Sequence, residues 1–250
     1  MPDLFIPLLL TPGIAGIYLR PIRGTEEMNV SGSGTADAVQ LLDAMLDQAA
    51  NPSLKQTASL VTADRDRVLA SLYIELYGPR IDSSLSCRHC REKFDLDFSL
   101  YSLLVQCAPP PALVKKDGVY ATTDGVLFRL PTGDDELIAN ASQSDPVEAL
   151  LARCLLDEKE KPDTGNIESI MAGVAPVLNL EMEAVCPECN TSQQVRFDMQ
   201  SFFLQRIKKE RPRLLYEIHR IALAYHWSHD DILTLPRKLR KDYVKLIEAS

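Results

Sequence analysis

Residues 84–100 read SLSCRHCREKFDLDFSL, and residues 183–199 read EAVCPECNTSQQVRFDM. In both phrases a C-x-x-C pair sits between short runs of alternating polar and apolar residues, the pattern of half-buried strands on either side of a turn. A C-x-x-C turn presents two thiolates from one knuckle, and a tetrahedral zinc takes two such knuckles facing each other. The spacing predicts that Cys87 and Cys90 supply one half of a site and Cys186 and Cys189 the other, with one structural zinc per chain. The 95 residues between Cys90 and Cys186 far exceed the about 15–20 of a compact ribbon. Closure cost grows only with the logarithm of loop length, however, and an insert that folds by itself shortens the effective loop. Four protein ligands leave no position for water, so such a site is structural and not catalytic.

Other readings of these residues stay open at this level. A redox dithiol would open a helix after a strand, which neither pair does. His89, inside the first knuckle, can replace a cysteine or stand in solvent. Cys107 and Cys154 read as core thiols, as free cysteines usually are.

Outward from the two phrases, the pattern predicts an α+β protein. Its centre is a four-cysteine zinc-ribbon-like β core with a small α+β insert, flanked by an N-terminal helical segment and a C-terminal helical module. Residues 1–34, with Pro2, Pro7 and Pro12, read as an extended arm. Residues 35–78 read as helical: one helix capped near Thr35, and a second from Thr62 to Tyr77 that ends at Gly78. The ribbon halves fall at 79–100 and 180–198, and the insert at 101–179. Within the insert, Asp124-Gly125 signals a hairpin, and Asp145-Pro146-Val147-Glu148 a helix start. Residues 199–250 form the helical module, in which Ser228 caps a short helix and Pro236 opens a last one, with Leu239, Tyr243, Leu246 and Ile247 facing inward. Phe202, Phe203 and Trp227 read either as core or as interface anchors.

The 250 residues are 46% apolar and 25% charged, within the range of globular chains, and carry a net charge of −8. Residues 206–250 hold 11 Lys/Arg against 6 Asp/Glu, which leaves −13 for the remainder. A general nucleic-acid or anionic-membrane surface is thereby disfavoured, while the tail suits an acidic partner. The apolar opening lacks the basic start of a signal sequence, and no run is long enough to span a membrane, so a cytoplasmic location with reduced thiols is expected.

No nucleophile elbow, P-loop, dinucleotide fingerprint or H-E-x-x-H pattern occurs. His226 and His229 have a spacing that would allow a metal on one helix, but Trp227-Ser228 reads as a helix break between them. Asp134, Asp135 and Glu136 are explained by a helix N-terminus that negative charge stabilises. No catalytic residue, bound organic cofactor or small-molecule substrate is expected. The basic residues of the tail permit a second reading, a zinc-ribbon regulator that binds nucleic acid through short helices.

In chain order, RPIRGTEEM, ADRDRVLASLYIELYG, SCRHC, LFRLPTGDD, EALLARCLL, VCPEC and EIHRIALAYHWSHDDILTLPRKLRKDYVKLI span residues 20–247. This succession resembles the baseplate hub assembly chaperone family of T-even-type contractile phage tails, with relatives in bacterial contractile injection systems. The resemblance implies a non-enzymatic structural or assembly role. It implies hub, wedge or tube proteins as partners, and residence in the bacterial cytoplasm during assembly or in the finished tail. It also implies the four cysteines as zinc ligands, Arg129, Leu130, Pro131, Thr132 and Asp134 as the insert phrase, and Tyr225, His226 and Trp227 as the aromatic end of the penultimate helix. Of these, Arg129, Pro131, Asp134, Tyr225, His226 and Trp227 are the expected partner contacts.

Overall fold

A computed structural model describes residues 3–110, 116–156 and 164–249. The first two residues of the expected arm, and 111–115 and 157–163 of the expected insert, lie outside the described residues. The chain is mixed α+β, and its sheets are small antiparallel pairs. It opens with β1 (Leu4–Pro7), β2 (Gly16–Leu19), α1 (Gly24–Asn29), α2 (Thr35–Met45) and α3 (Thr62–Tyr77). Then come β3 (Arg80–Ser86), β4 (Lys93–Ser99), α4 (Leu100–Gln106), β5 (Val119–Ala121), β6 (Leu127–Arg129), α5 (Gly133–Ala141), α6 (Pro146–Cys154) and α7 (Thr164–Val174). Last are β7 (Asn179–Val185), β8 (Ser192–Asp198), α8 (Met199–Lys209), α9 (Arg211–Tyr225), α10 (His229–Thr234) and α11 (Arg237–Glu248). Two compact units share this chain. One takes the chain up to Pro7, Ile14–Ala58 and the residues from Ser201 onward; the other takes Leu8–Gly13 and Ser59–Gln200.

In the first unit β1 and β2 pair from Leu4↔Leu19 to Pro7↔Gly16. Within the stretch expected to be extended, α1 forms because Glu26 closes its first turn: its carboxylate accepts the Arg23 amide at 2.7 Å and pairs with Arg20 at 2.7 Å. Leu214, Ile218 and Ile221 of α9 pack with Ile232, Leu233 and Val244 of α10 and α11. The last helix departs from expectation. Tyr243 and Ile247 pack against this core as expected, but the buried residues of the helix are Arg237, Arg240 and Val244, and Leu239 and Leu246 are exposed. The inward face is held by charge. Arg240 donates to Glu217 at 3.2 Å, to the Leu235 carbonyl at 2.8 Å and to Glu27, while Arg237 pairs with Glu27 at 2.6 Å and with Glu210. Burial pushes the Glu27 carboxyl above its usual range, against the pull of Arg240 and Arg237.

The second unit is organised around α3, which is buried on nearly all sides, charged residues included. The Asp64 carboxylate accepts the amides of Leu9, Leu10 and Thr11 at 3.0, 2.9 and 2.7 Å and the Thr11 hydroxyl at 2.8 Å, fixing the 8–13 segment. Arg65 pairs with Glu136 at 2.7 Å, and the Thr62 amide donates to the Pro131 carbonyl. Gly78 ends the helix at φ 86°, as the sequence predicts. The hairpin β5–β6 turns through Gly125 at φ 87°. Asp145 caps α6, accepting the amides of Val147 and Glu148 at 2.9 and 3.1 Å. Tyr120, Phe128, Leu130, Leu151, Cys154 and Ile167 are central to the core here, so Cys154 is the core thiol expected.

Asp66 of α3 accepts the Leu178 amide at 2.9 Å, at the root of β7. Burial, only partly offset by Arg65, pushes its carboxyl up to about 7. The unfolded chain releases this proton near pH 4, whereas the folded chain keeps it to about pH 7. The contribution of Asp66 to stability therefore falls as pH rises through that window and is level above it. Asp66→Asn carries no charge to bury, so its advantage over the parent protein is expected to widen as pH goes from 5 to 8, reaching on the order of a few kcal/mol. Urea midpoints across this range check it; a constant difference would contradict the assignment.

Candidate metal centre

β3–β4 and β7–β8 are the same hairpin written twice. The first pairs from Arg80↔Ser99 to Ser86↔Lys93 and the second from Asn179↔Asp198 to Val185↔Ser192, every partner displaced by 99 residues. The displacement holds beyond the strands. The Leu100 amide donates to the Pro79 carbonyl at 2.7 Å, and the Met199 amide to the Leu178 carbonyl at 2.9 Å, so each hairpin turns into a helix through the same bond.

At the tips, the Cys87 amide donates to the Glu92 carbonyl and the Arg91 amide to the Cys87 carbonyl, at 2.9 and 3.0 Å. Cys186 with Thr191 and Asn190 with Cys186 repeat this at 3.0 and 2.9 Å. The residue after each second cysteine, Arg91 or Asn190, lies in the left-handed region at φ 66° and 55°. Asparagine takes that conformation readily; arginine does so at a cost that the closed turn must offset. One difference between the knuckles is consistent in itself. The Arg88 amide donates to Gln193 at 2.8 Å, whereas at the corresponding positions proline lacks the donor, at Pro187, and Phe94 lacks the acceptor.

The repeat brings all four cysteines together. Cys87 Sγ lies 3.6 Å from Cys189 Sγ and Cys90 Sγ 3.7 Å from Cys186 Sγ, two contacts that the 99-residue displacement interchanges. All four sulfurs lie within 4.8 Å of one another. Thiolates about 2.3 Å from a tetrahedral ion sit about 3.8 Å apart, so the cluster matches that donor set in number, chemistry and spacing. Cys87 and Cys186 are buried, and Cys90 and Cys189 are half-buried. Phe94, Ala184, Leu85, Leu96 and Val195 pack around them, and Phe98 meets its counterpart Phe197 edge to face at 5.0 Å.

The knuckles also supply donors to sulfur. The Thr191 hydroxyl and amide draw the Cys189 thiol down to about 5, and the Cys90 amide lowers Cys87. The Glu92 amide pulls Cys90 the same way, but burial and the neighbouring sulfurs outweigh it and push that thiol up to about 12. Four thiols this close resist sharing negative charge, and a cation between them removes the conflict. The arrangement can hold a metal ion. His89 stands exposed in the knuckle and outside this ligand set.

The other expected contacts fall apart from the cysteines. Arg129 and Pro131 are half-buried and Asp134 is exposed. The acid that engages the insert phrase is the neighbouring Asp135, which accepts from Arg129 at 2.5 and 2.8 Å, from Arg153 at 2.9 Å and from the Thr132 amide at 3.0 Å. Burial opposes its ionisation, yet the Arg129 and Thr132 bonds hold its carboxyl well below the usual range. The capping box, Thr132 with a residue three further on, was the signal in the sequence for Asp135. Tyr225, Trp227 and Tyr243 form a mutual aromatic contact with ring centroids 5.2–5.4 Å apart. His226 ends α9 at φ 56°, and Ser228 caps α10, so the predicted helix break falls between His226 and His229. Phe203 is fully buried.

Among the described residues no helix is long and apolar enough to cross a membrane, and the four cysteines are the one group of His, Cys, Asp or Glu placed to hold a metal ion. Comparison with protein families, curated proteins and solved structures finds no match.

Proposed function

We propose that the four cysteines bind one structural zinc, making β3–β4 and β7–β8 a zinc ribbon split by its insert. We further propose that the chain is a non-enzymatic structural or assembly protein of the baseplate of a phage-like contractile tail or injection system. The observation that carries the reading is the closed four-thiolate cluster. Its ligands come from two knuckles 99 residues apart, so the ion would hold the unit together and would have no open position at which to do chemistry. The order of phrases from RPIRGTEEM to the last helix supports the contractile-tail context. In that setting the chain acts in the bacterial cytoplasm and docks onto hub, wedge or tube proteins, either as a transient chaperone or as a retained component.

Two of the basic residues that favour a nucleic-acid regulator, Arg237 and Arg240, are only 5% and 0% exposed and are paired with carboxylates. A tagged pull-down from the native host, washed at high salt, is expected to retain tail-tube, hub or wedge proteins. Recovery of nucleic acid that salt removes, with no tail protein, would replace this reading with the regulator, because phosphate contacts are lost steeply as salt rises.

A further inference from the structure

Helix α9 is apolar along two faces. Its inner face, Leu214, Ile218 and Ile221, is buried in the helical core. Its outer face carries Pro212, Leu215, Tyr216, His219 and Leu223, spaced as i, i+3, i+4, i+7 and i+11, which is one continuous stripe about 16 Å long on a helix. All five are exposed, with Leu215 at 48%, Tyr216 at 47% and Leu223 at 61%. A helix with apolar residues on both sides is normally covered on both sides. Lone exposed leucines are ordinary, but a stripe at helical spacing opposite a filled core face is not.

The charges of α9 select the occupant. The helix holds three arginines, Arg211, Arg213 and Arg220, against a single acid, Glu217. Glu217 is buried and bonded to Arg240. Arg211 donates to the Met28 and Val30 carbonyls. Arg213 is largely exposed at 3.6 Å from Glu217 and, with Arg220, borders one side of the stripe. Glu248, from α11, is engaged by the Tyr216 hydroxyl at 3.0 Å. A second copy laid against this face would bring arginine rims together, which like-charge repulsion opposes, and a phosphate backbone gains nothing from the leucines.

We infer that the outer face of α9 is a docking site for an acidic amphipathic helix of another protein, with apolar side chains seated on Leu215, Tyr216 and Leu223 and carboxylates facing Arg213 and Arg220. This names the chemistry of a partner within the proposed assembly role and rests on that reading only in taking the partner to be a protein. Helix-in-groove docking of this type is read out by anchors at i, i+3, i+4 and i+7.

The test uses the full chain and two synthetic peptides of roughly 18 residues, about five helical turns each. They share one leucine stripe and differ in carrying glutamates or lysines on its flanks. Calorimetric titration at low salt is expected to show the glutamate peptide binding about tenfold more tightly than the lysine peptide, with the preference shrinking as salt rises. The variant with Leu215→Ser and Leu223→Ser should lose this binding while melting like the parent, since both side chains are exposed. Equal binding of the two peptides, binding of neither, or self-association of the parent that the double variant abolishes would each overturn the inference. The tail-protein pull-down can fail without touching this result, and the reverse holds as well.

Discussion

Cys186→Ala in the full chain is expected to lose the bound metal and to melt roughly 10–15 °C lower, the shift that a loss of about 4 kcal/mol produces in a chain of this size. The substituted residue belongs to the second hairpin, yet the damage should reach the first, because Cys90 Sγ is the near neighbour of Cys186 Sγ at 3.7 Å. Elemental analysis should find about one zinc per parent chain and far less in the variant. A chelator should lower the parent toward the variant and leave the variant unchanged. Cys154→Ala provides the contrast: its thiol lies in a different core, so this variant should keep its metal and pay only for a small cavity. A Cys186→Ala protein that keeps its metal or its melting temperature would rule out the shared site.

Arg240→Met is expected to be nearly as damaging, by about 3–5 kcal/mol, through a different cause. The guanidinium is fully buried and bonds Glu27, Glu217 and the Leu235 carbonyl. Methionine fills much of the volume but leaves two buried carboxylates short of a partner, and the cost is that of stranded charge. Adding Glu27→Gln should recover part of the loss, because one of those charges is then gone. Urea unfolding of the single and double variants measures both steps. If the double variant is no more stable than Arg240→Met alone, stranded charge is not what the single substitution costs.

These two sites differ in how far the sequence discloses them. The four cysteines are legible because knuckle, flanking alternation and spacing are local patterns, and the caps at Asp145 and Ser228 are local in the same way. The face of α11 is not. An amphipathic reading turns Leu239 and Leu246 inward, whereas the structure buries Arg237 and Arg240. Their partner Glu27 lies 210 and 213 residues away, where no periodicity in α11 can reveal it. Helix α3 hides its role similarly: Asp64 and Asp66 look like solvated charges until the amides of 9–11 and of Leu178 are brought to them. Helix α1 is not legible from periodicity because a single carboxylate, Glu26, organises it within a proline-bearing stretch. At Asp134 and Asp135 the sequence offers two adjacent acids, and only the capping geometry says which one turns inward.

The 99-residue displacement between the knuckles also sets a schedule for biosynthesis. A ribosome adds about 5–20 residues per second, so Cys90 exists for roughly 5–20 s before Cys186 is made. For that interval the nascent chain exposes a dithiol with half a coordination shell, open to oxidation and to ions that bind two sulfurs well. The proton balance of the finished cluster, in which one thiol is drawn down to about 5 and another pushed up to about 12, comes into being only when the second hairpin arrives. Capture of a metal by all four cysteines would thus be a late event for this chain, coinciding with the moment at which everything between the two hairpins becomes a closed loop.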